Sequence, residues 1–141
     1  MITAVDTNVL LDVFAPDKRH GPRSRLDLLA ADAAGVIVVC DVVYAELVPG
    51  FVERASLDAA LRGVNAQLSP IDSGIAWEAG ARWMRYRRAG GPRTRILADF
   101  LIGAHALAAA DVFLTRDRGF YETYFPDLTQ APRTPGPSAT G

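Results

Sequence analysis

Apolar positions recur along the chain in two alternating rhythms. Ile2 to Val5 is a short apolar run closed by Asp6, and Val9, Leu10, Val13 and Phe14 follow at helical spacing within Asn8 to Ala15. A strand and then a helix are predicted. Pro16 to Pro22 is polar and rich in turn residues, after which helical spacing returns from Ser24 to Ala34 through Leu26, Leu28, Leu29 and Ala33, with Gly35 as its stop. Val36 to Cys40 predicts a second strand. Asp41 stands where it would cap a helix carrying Val43, Ala45, Glu46 and Leu47, which Pro49 and Gly50 interrupt. Ser56 to Asn65 predicts another helix, and Leu68 to Ile71 a brief strand.

The second half repeats the alternation. Ile75, Ala79, Trp83 and Tyr86 define a long amphipathic helix from Asp72 to Arg88, ended by Gly90, Gly91 and Pro92. A helix from Leu97 to Ala110 is almost wholly apolar apart from Asp99 and His105, so it should be buried on most sides. Val112 to Thr115 predicts a short strand entered through Asp111. Periodicity is lost past Asp127, and Ala131 to Gly141, rich in Pro, Gly, Ser and Thr, is expected to remain unordered. One domain over residues 1–132 with a tail at 133–141 follows. Strands alternating with helices imply a parallel sheet covered on both faces, with functional groups where strand carboxyl ends meet the next helices.

Composition narrows the function. A length of 141 residues suits one globular domain. The net charge of −1 argues against a protein that coats polyanions generally, although a local basic patch is compatible with it. The single Cys40 excludes an intrachain disulfide and a multi-cysteine zinc framework. No apolar run reaches the ~18 residues of a membrane helix, and Asp6 falls where a signal peptide would need an unbroken apolar region. A soluble, unprocessed, cytoplasmic protein with no membrane partner is expected. Of the 15 basic residues only Lys18 is lysine, which disfavours mechanisms that need a second, well-placed lysine.

Four acids gather at the expected rim. Asp6 ends the first strand, Asp117 lies just past the strand Val112 to Thr115, and Asp99 opens the helix that runs away from the same edge. Glu46, about one turn into the helix after the second strand, has the reach to join them. Two carboxylates at 4 Å repel by roughly 4 kcal/mol at an effective dielectric of 20. A hard divalent cation removes the conflict: Mg²⁺ or Mn²⁺ takes oxygen ligands and keeps several waters, whereas zinc would ask for His or Cys. Such a site polarises a phosphoryl oxygen and activates water for in-line attack.

Four segments carry a resemblance. Val5-Asp6-Thr7-Asn8-Val9-Leu10-Leu11, Tyr44-Ala45-Glu46-Leu47, the run Ala98-Asp99-Phe100-Leu101-Ile102-Gly103-Ala104-His105-Ala106, and Leu114-Thr115-Arg116-Asp117-Arg118-Gly119-Phe120-Tyr121 resemble the signature segments of PIN-domain ribonucleases, in order and at similar spacing, to about Pro132. The resemblance implies a PIN-like three-layer α/β/α sandwich with a central, mostly parallel sheet and metal-dependent endoribonuclease activity. It carries Asp6, Glu46, Asp99 and Asp117 over as the acidic site for Mg²⁺ or Mn²⁺. Thr115 matches a position with a hydroxyl near that site, suited to orient a water or a ligand carboxylate. The small size is similar to VapC toxins of bacterial toxin-antitoxin pairs, which implies an RNA substrate, a cognate antitoxin and a homodimer.

Other polar residues have plainer readings. Asp41 and Asp72 are expected to cap helices, Asp12 to lie on the surface, and Asp111 to belong to a turn. His105, six positions after Asp99, points well away around the helix and is read as a buried, hydrogen-bonded histidine. Cys40, Trp77 and Trp83 are read as packing residues, with a dimer or antitoxin groove as the alternative for the two tryptophans. Arg82, Arg85, Arg87, Arg88, Arg93 and Arg95 form a basic density before the acidic helix, either a solvated helix end or, for Arg85, Arg88, Arg93 and Arg95, a grip on RNA phosphates. Arg116 and Arg118, flanking Asp117, are candidates for the same task. Two rival functions stand beside the nuclease. An acyl-phosphate phosphatase or receiver domain is disfavoured because Asn8 stands where a second Asp is wanted and Lys18 lies in an early loop; the other is a catalytically silent PIN-fold module that binds RNA or protein.

Overall fold

In the computed structural model, residues 1–15 and 17–135 are described. Their elements run β1 (Ile2–Val5), α1 (Thr7–Phe14), α2 (Gly21–Ala34), β2 (Val36–Val39), α3 (Asp41–Leu47), a 3₁₀ turn (Val48–Gly50), α4 (Arg54–Gly63), β3 (Ala66–Leu68), α5 (Ser73–Arg88), α6 (Leu97–Ala109), β4 (Val112–Leu114) and α7 (Arg118–Tyr124). The four strands are all parallel, in the order β3-β2-β1-β4. Helices flank this sheet, in keeping with the three-layer α/β/α arrangement expected from the sequence.

Burial explains the strands. Ala4, Val5, Ile37, Val39, Phe113 and Leu114 are sealed from solvent, as a parallel sheet covered by helices requires. From β1 the chain steps outward through β2 to β3, then returns to place β4 on β1's other side. The order therefore reverses between β1 and β4, and the crevice at their carboxyl ends is where an open α/β sheet places its ligand. Gly35 lets β2 start against β1: a Cβ there would stand 2.0 Å from the Met1 carbonyl oxygen. Around Phe113 of β4, the rings of Phe100, Phe113, Phe120, Tyr121 and Phe125 pack against one another with centroids 4.8 to 5.9 Å apart.

Several expectations change. The third strand is Ala66–Leu68 rather than Leu68 to Ile71: Asn65 takes a left-handed φ of 57° that ends the preceding helix early, and Pro70 has no N–H for a ladder. Asp41 lies inside the first turn of α3 and caps nothing; its Oδ2 instead accepts from Ile71 N at 3.0 Å and ties down the loop after β3. Asp72 does cap α5, accepting from Ile75 N at 2.9 Å. The inward face of α2 is Ser24, Asp27, Leu28 and Ala31, while Leu26 and Leu29 face solvent. Buried polar groups need partners, and these have them. Asp12, expected on the surface, is buried, receives Ser24 Oγ at 2.6 Å and pairs with Arg116; Asp27 pairs with Arg133.

Trp77, read as a packing residue, is 80% exposed, whereas Trp83 is half-buried. His105 is buried, its Nε2 2.9 Å from Ser69 Oγ, and Cys40 is a core residue, both as expected. The segment expected to remain unordered begins with packed residues. Phe113 N donates to Thr129 O and Ala131 N to Phe113 O, so the chain runs beside β4, and Arg133 and Thr134 reach α2 through Asp27. The physical reason is charge: a buried carboxylate on α2 recruits the arginine, which hydrophobic periodicity does not report. Residues 136–141 of that segment lie outside the described residues.

Candidate active site

Asp6 follows β1 and Thr115 follows β4, and Asp6 N donates to Leu114 O at 2.9 Å, so the two residues emerge side by side. Thr115 Oγ1 donates to Asp6 Oδ2 at 2.7 Å. Thr7 N donates to Oδ1 at 2.8 Å, which makes Asp6 the N-cap of α1 as well, and Asn8 Nδ2 reaches Oδ2 at 3.3 Å. Every one of these donors is neutral. Asp6 is only 7% exposed, and among the described residues no Lys or Arg pairs with it. Burial raises its pKa to about 6; hydrogen bonds from Thr115 and Thr7 oppose the rise, and the charges of Glu46 and Asp99 add to it.

The other acids come from three further elements. Glu46, in the last turn of α3, is exposed, and its Oε1 accepts from Thr7 Oγ1 at 2.7 Å, which links it to the residue beside Asp6. Asp99, in the first turn of α6, accepts from Ile96 N at 3.2 Å, while its carbonyl accepts from the Tyr121 hydroxyl at 3.2 Å. Asp117 precedes α7; its N–H donates to Thr115 Oγ1 at 2.9 Å, and its carboxylate is forked by Arg95. Tyr121 lies buried among them. Burial, with the charges of Asp6, Asp99 and Asp117, pushes its phenol well above the ordinary tyrosine range.

The donor set tests the implied metal. Asp6, Glu46, Asp99 and Asp117 offer hard oxygens, the kind Mg²⁺ and Mn²⁺ take, and a buried carboxylate with only neutral partners lacks the counter-charge a cation would supply. Geometry is more open. Among the described residues no three His, Cys, Asp or Glu side chains stand close enough to cage an ion. Magnesium does not require a cage, since it keeps several waters and is held by one or two carboxylates together with substrate phosphates. The residues therefore fit such an ion through Asp6 and its charged neighbours Glu46 and Asp99, while Asp117 is already engaged by Arg95.

The arginines divide. Arg116 forks Asp12 at 2.7 and 3.0 Å, and Arg118 Nη1 donates to Ala131 O at 2.8 Å, so both guanidinium groups hold the fold. Arg82 bridges Glu78 and Asp127, and Arg87 lies over the Trp83 ring. Arg85, Arg88 and Arg93 are exposed and form no ion pair among the described residues. Sequence reasoning missed Thr7, Asn8 and Tyr121. For the first two the signal was present: a hydroxyl and an amide directly after Asp6, at the mouth of a helix.

A sequence profile of the PIN domain matches residues 3–126. The chain belongs to the PIN domain family. No curated protein matches it in sequence. Solved structures share its PIN fold, among them VapBC2 of Rickettsia felis bound to a DNA fragment from its promoter, with TM-score 0.72, 18% identity, and coverage of 95% of this chain and 100% of that one. VapBC-1 of nontypeable Haemophilus influenzae aligns with TM-score 0.66 and 20% identity over 93% of this chain and 97% of that one. VapC20 of Mycobacterium tuberculosis, a sarcin-ricin loop cleaving toxin, aligns with TM-score 0.62 and 18% identity over 94% and 99% of the two chains. At these identities the likeness is one of fold.

Proposed function

We propose that this PIN domain is a Mg²⁺- or Mn²⁺-dependent endoribonuclease, the cytoplasmic toxin of a toxin-antitoxin pair, working as a homodimer restrained by a cognate antitoxin. One observation carries the reading: a buried carboxylate, Asp6, at the switch point of the sheet, without a cationic partner among the described residues and under the charge of Glu46 and Asp99. When bound, the metal supplies Lewis-acid polarisation of a phosphoryl oxygen and a more acidic water. Asp6, Glu46 and Asp99 hold it, Thr115 aims Asp6, and Thr7 aims Glu46. Arg85, Arg88 and Arg93 hold the RNA backbone that the acids alone would repel. The toxin assignment draws on the folds above, two of them VapBC structures and the third a toxin.

The test is incubation of purified protein with mixed structured RNAs in Mn²⁺, Mg²⁺ or chelator. Cleavage requires the metal, and Asp6→Asn and Asp99→Asn each suppress it by at least ~100-fold, the scale of a lost transition-state interaction. Full activity in Asp99→Asn or in chelator refutes the assignment. A second reading, a silent PIN fold that binds RNA or protein, is favoured by the lack of a three-ligand cage among the described residues and by the Arg95 pairing of Asp117. RNA bound but left intact in every metal would establish it.

A further inference from the structure

Arg95 lies between α5 and α6, four positions before Asp99, and engages both carboxylate oxygens of Asp117, with Nη2 at 3.1 Å from Oδ1. Its position is built. The guanidinium carbon stands 4.2 Å from the centroid of the Phe120 ring. The segment that carries Arg95 is pinned from below: the Tyr86 hydroxyl donates to Pro92 O, and a Cβ on Gly91 would fall 2.5 Å from the Tyr86 ring. The pair is nevertheless open, with side chains 31% and 32% exposed, whereas the Arg82 side chain in its own fork is 12% exposed. A phosphodiester offers a guanidinium the same two-oxygen edge as a carboxylate. Arg93 stands on the same segment, and Arg85 and Arg88 close the helix leading into it, all exposed.

We propose that Arg95 is a displaceable counter-ion that couples capture of an RNA phosphate to completion of the acidic site, an inference that rests on the nuclease reading above. In the free chain Arg95 neutralises Asp117 and withholds it from a divalent cation. An incoming phosphodiester takes the guanidinium, one anion replacing another. Asp117 is released with its full charge to join Asp6, Glu46 and Asp99. The consequence is a chain that binds metal weakly until substrate arrives, which protects bystander phosphates from a fully charged site.

The test is Mn²⁺ binding by calorimetry on the full chain, wild type against Arg95→Ala, Asp117→Asn, the double variant and Asp6→Asn, with and without a single-stranded oligodeoxynucleotide as the phosphodiester probe. Without the probe, Arg95→Ala binds Mn²⁺ about tenfold more tightly than wild type, and the gain vanishes when Asp117 is also Asn. The probe tightens Mn²⁺ binding by the wild type more than by Arg95→Ala. If Arg95→Ala does not fold, Arg95→Lys, which keeps the charge and loses the fork, is measured instead, with a gain of about threefold. Unchanged or weaker binding in the Arg95 variant, or a gain that persists in the double variant, overturns the coupling. When Asp6→Asn abolishes Mn²⁺ binding and Arg95→Ala leaves it as in wild type, the coupling alone fails; when wild type binds no more Mn²⁺ than Asp6→Asn even with the probe present, the nuclease reading fails with it.

Discussion

Thr115 Oγ1 donates to Asp6 Oδ2 at 2.7 Å across 109 positions of sequence, and the same oxygen accepts from Asp117 N at 2.9 Å. One buried hydroxyl thus joins the ends of β1 and β4 and sets the spacing of two acids. Its bond opposes the rise that burial imposes on the Asp6 pKa. Thr115→Val removes that opposition, so the Asp6 pKa moves further above 6. At low Mn²⁺, wild-type cleavage should fall about tenfold per pH unit below pH 6, and the valine variant should show the same limb displaced upward by about one unit, as expected for a lost hydrogen bond to a charged group. A pH–rate profile with superimposable acid limbs would refute the role of Thr115.

Asp6 also makes a statement about stability. Its pKa is raised from 3.8 to about 6, so the native chain holds a proton that the unfolded chain has released across that window. The sign is therefore unfavourable: stability falls as pH rises from about 4 to 6, and the full cost, about 3 kcal/mol, applies above pH 6. Asp6→Asn keeps an oxygen for Thr7 N, turns an NH₂ toward the Thr115 hydroxyl oxygen in place of the accepting Oδ2, and carries no charge. In chelator at pH 8 the variant should melt several degrees above wild type, at about 3 °C per kcal/mol for a chain of this size, and the difference should disappear below pH 4. Saturating Mn²⁺ should reverse the order, because only the carboxylate gains from the cation.

The exposed arginines make a separate prediction about salt. Arg85 and Arg88 have no ionic partner among the described residues, and each phosphate contact contributes roughly 0.7 to the slope of log affinity against log salt for a single strand. Replacing both with Ala should weaken RNA binding and flatten the slope by about 1.4, as measured by fluorescence anisotropy with a metal-free oligoribonucleotide. An unaltered slope would return these residues to a solvated helix end.

What was legible in the sequence follows from which forces leave a periodic trace. The strands β1, β2 and β4 and the helices α1, α5 and α6 each bury an apolar run or stripe, so periodicity finds them. The acids at strand ends were legible because chain alternation alone locates the rim. The polar interior was not. Asp12, Ser24 and Asp27 are buried by partners more than 100 positions away or on neighbouring helices, and no local pattern reports an arginine arriving from the other end of the chain. For the same reason Arg95 was legible as a basic residue near the site, while its attachment to Asp117 depends on where a glycine-rich turn sets it down.

That distant arginine gives the last prediction. Arg133 and Asp27 meet with side chains 5% and 1% exposed, and Arg133 Nη2 also reaches Ser24 Oγ at 3.2 Å. Burial lowers the arginine's pKa, and Asp27 partly restores it. Two charges taken this far from water cost about as much as their attraction returns, so the pair as a unit adds little, but breaking it strands one charge. Arg133→Ala should therefore lose about 3–5 kcal/mol in urea unfolding, because Asp27 is left buried without its counter-ion. Asp27→Leu combined with Arg133→Met, which removes both charges and keeps the volume, should recover most of that loss. A chain ending at Pro132 should behave like Arg133→Ala; unfolding at the wild-type midpoint would show that the segment after Pro132 contributes nothing to the fold.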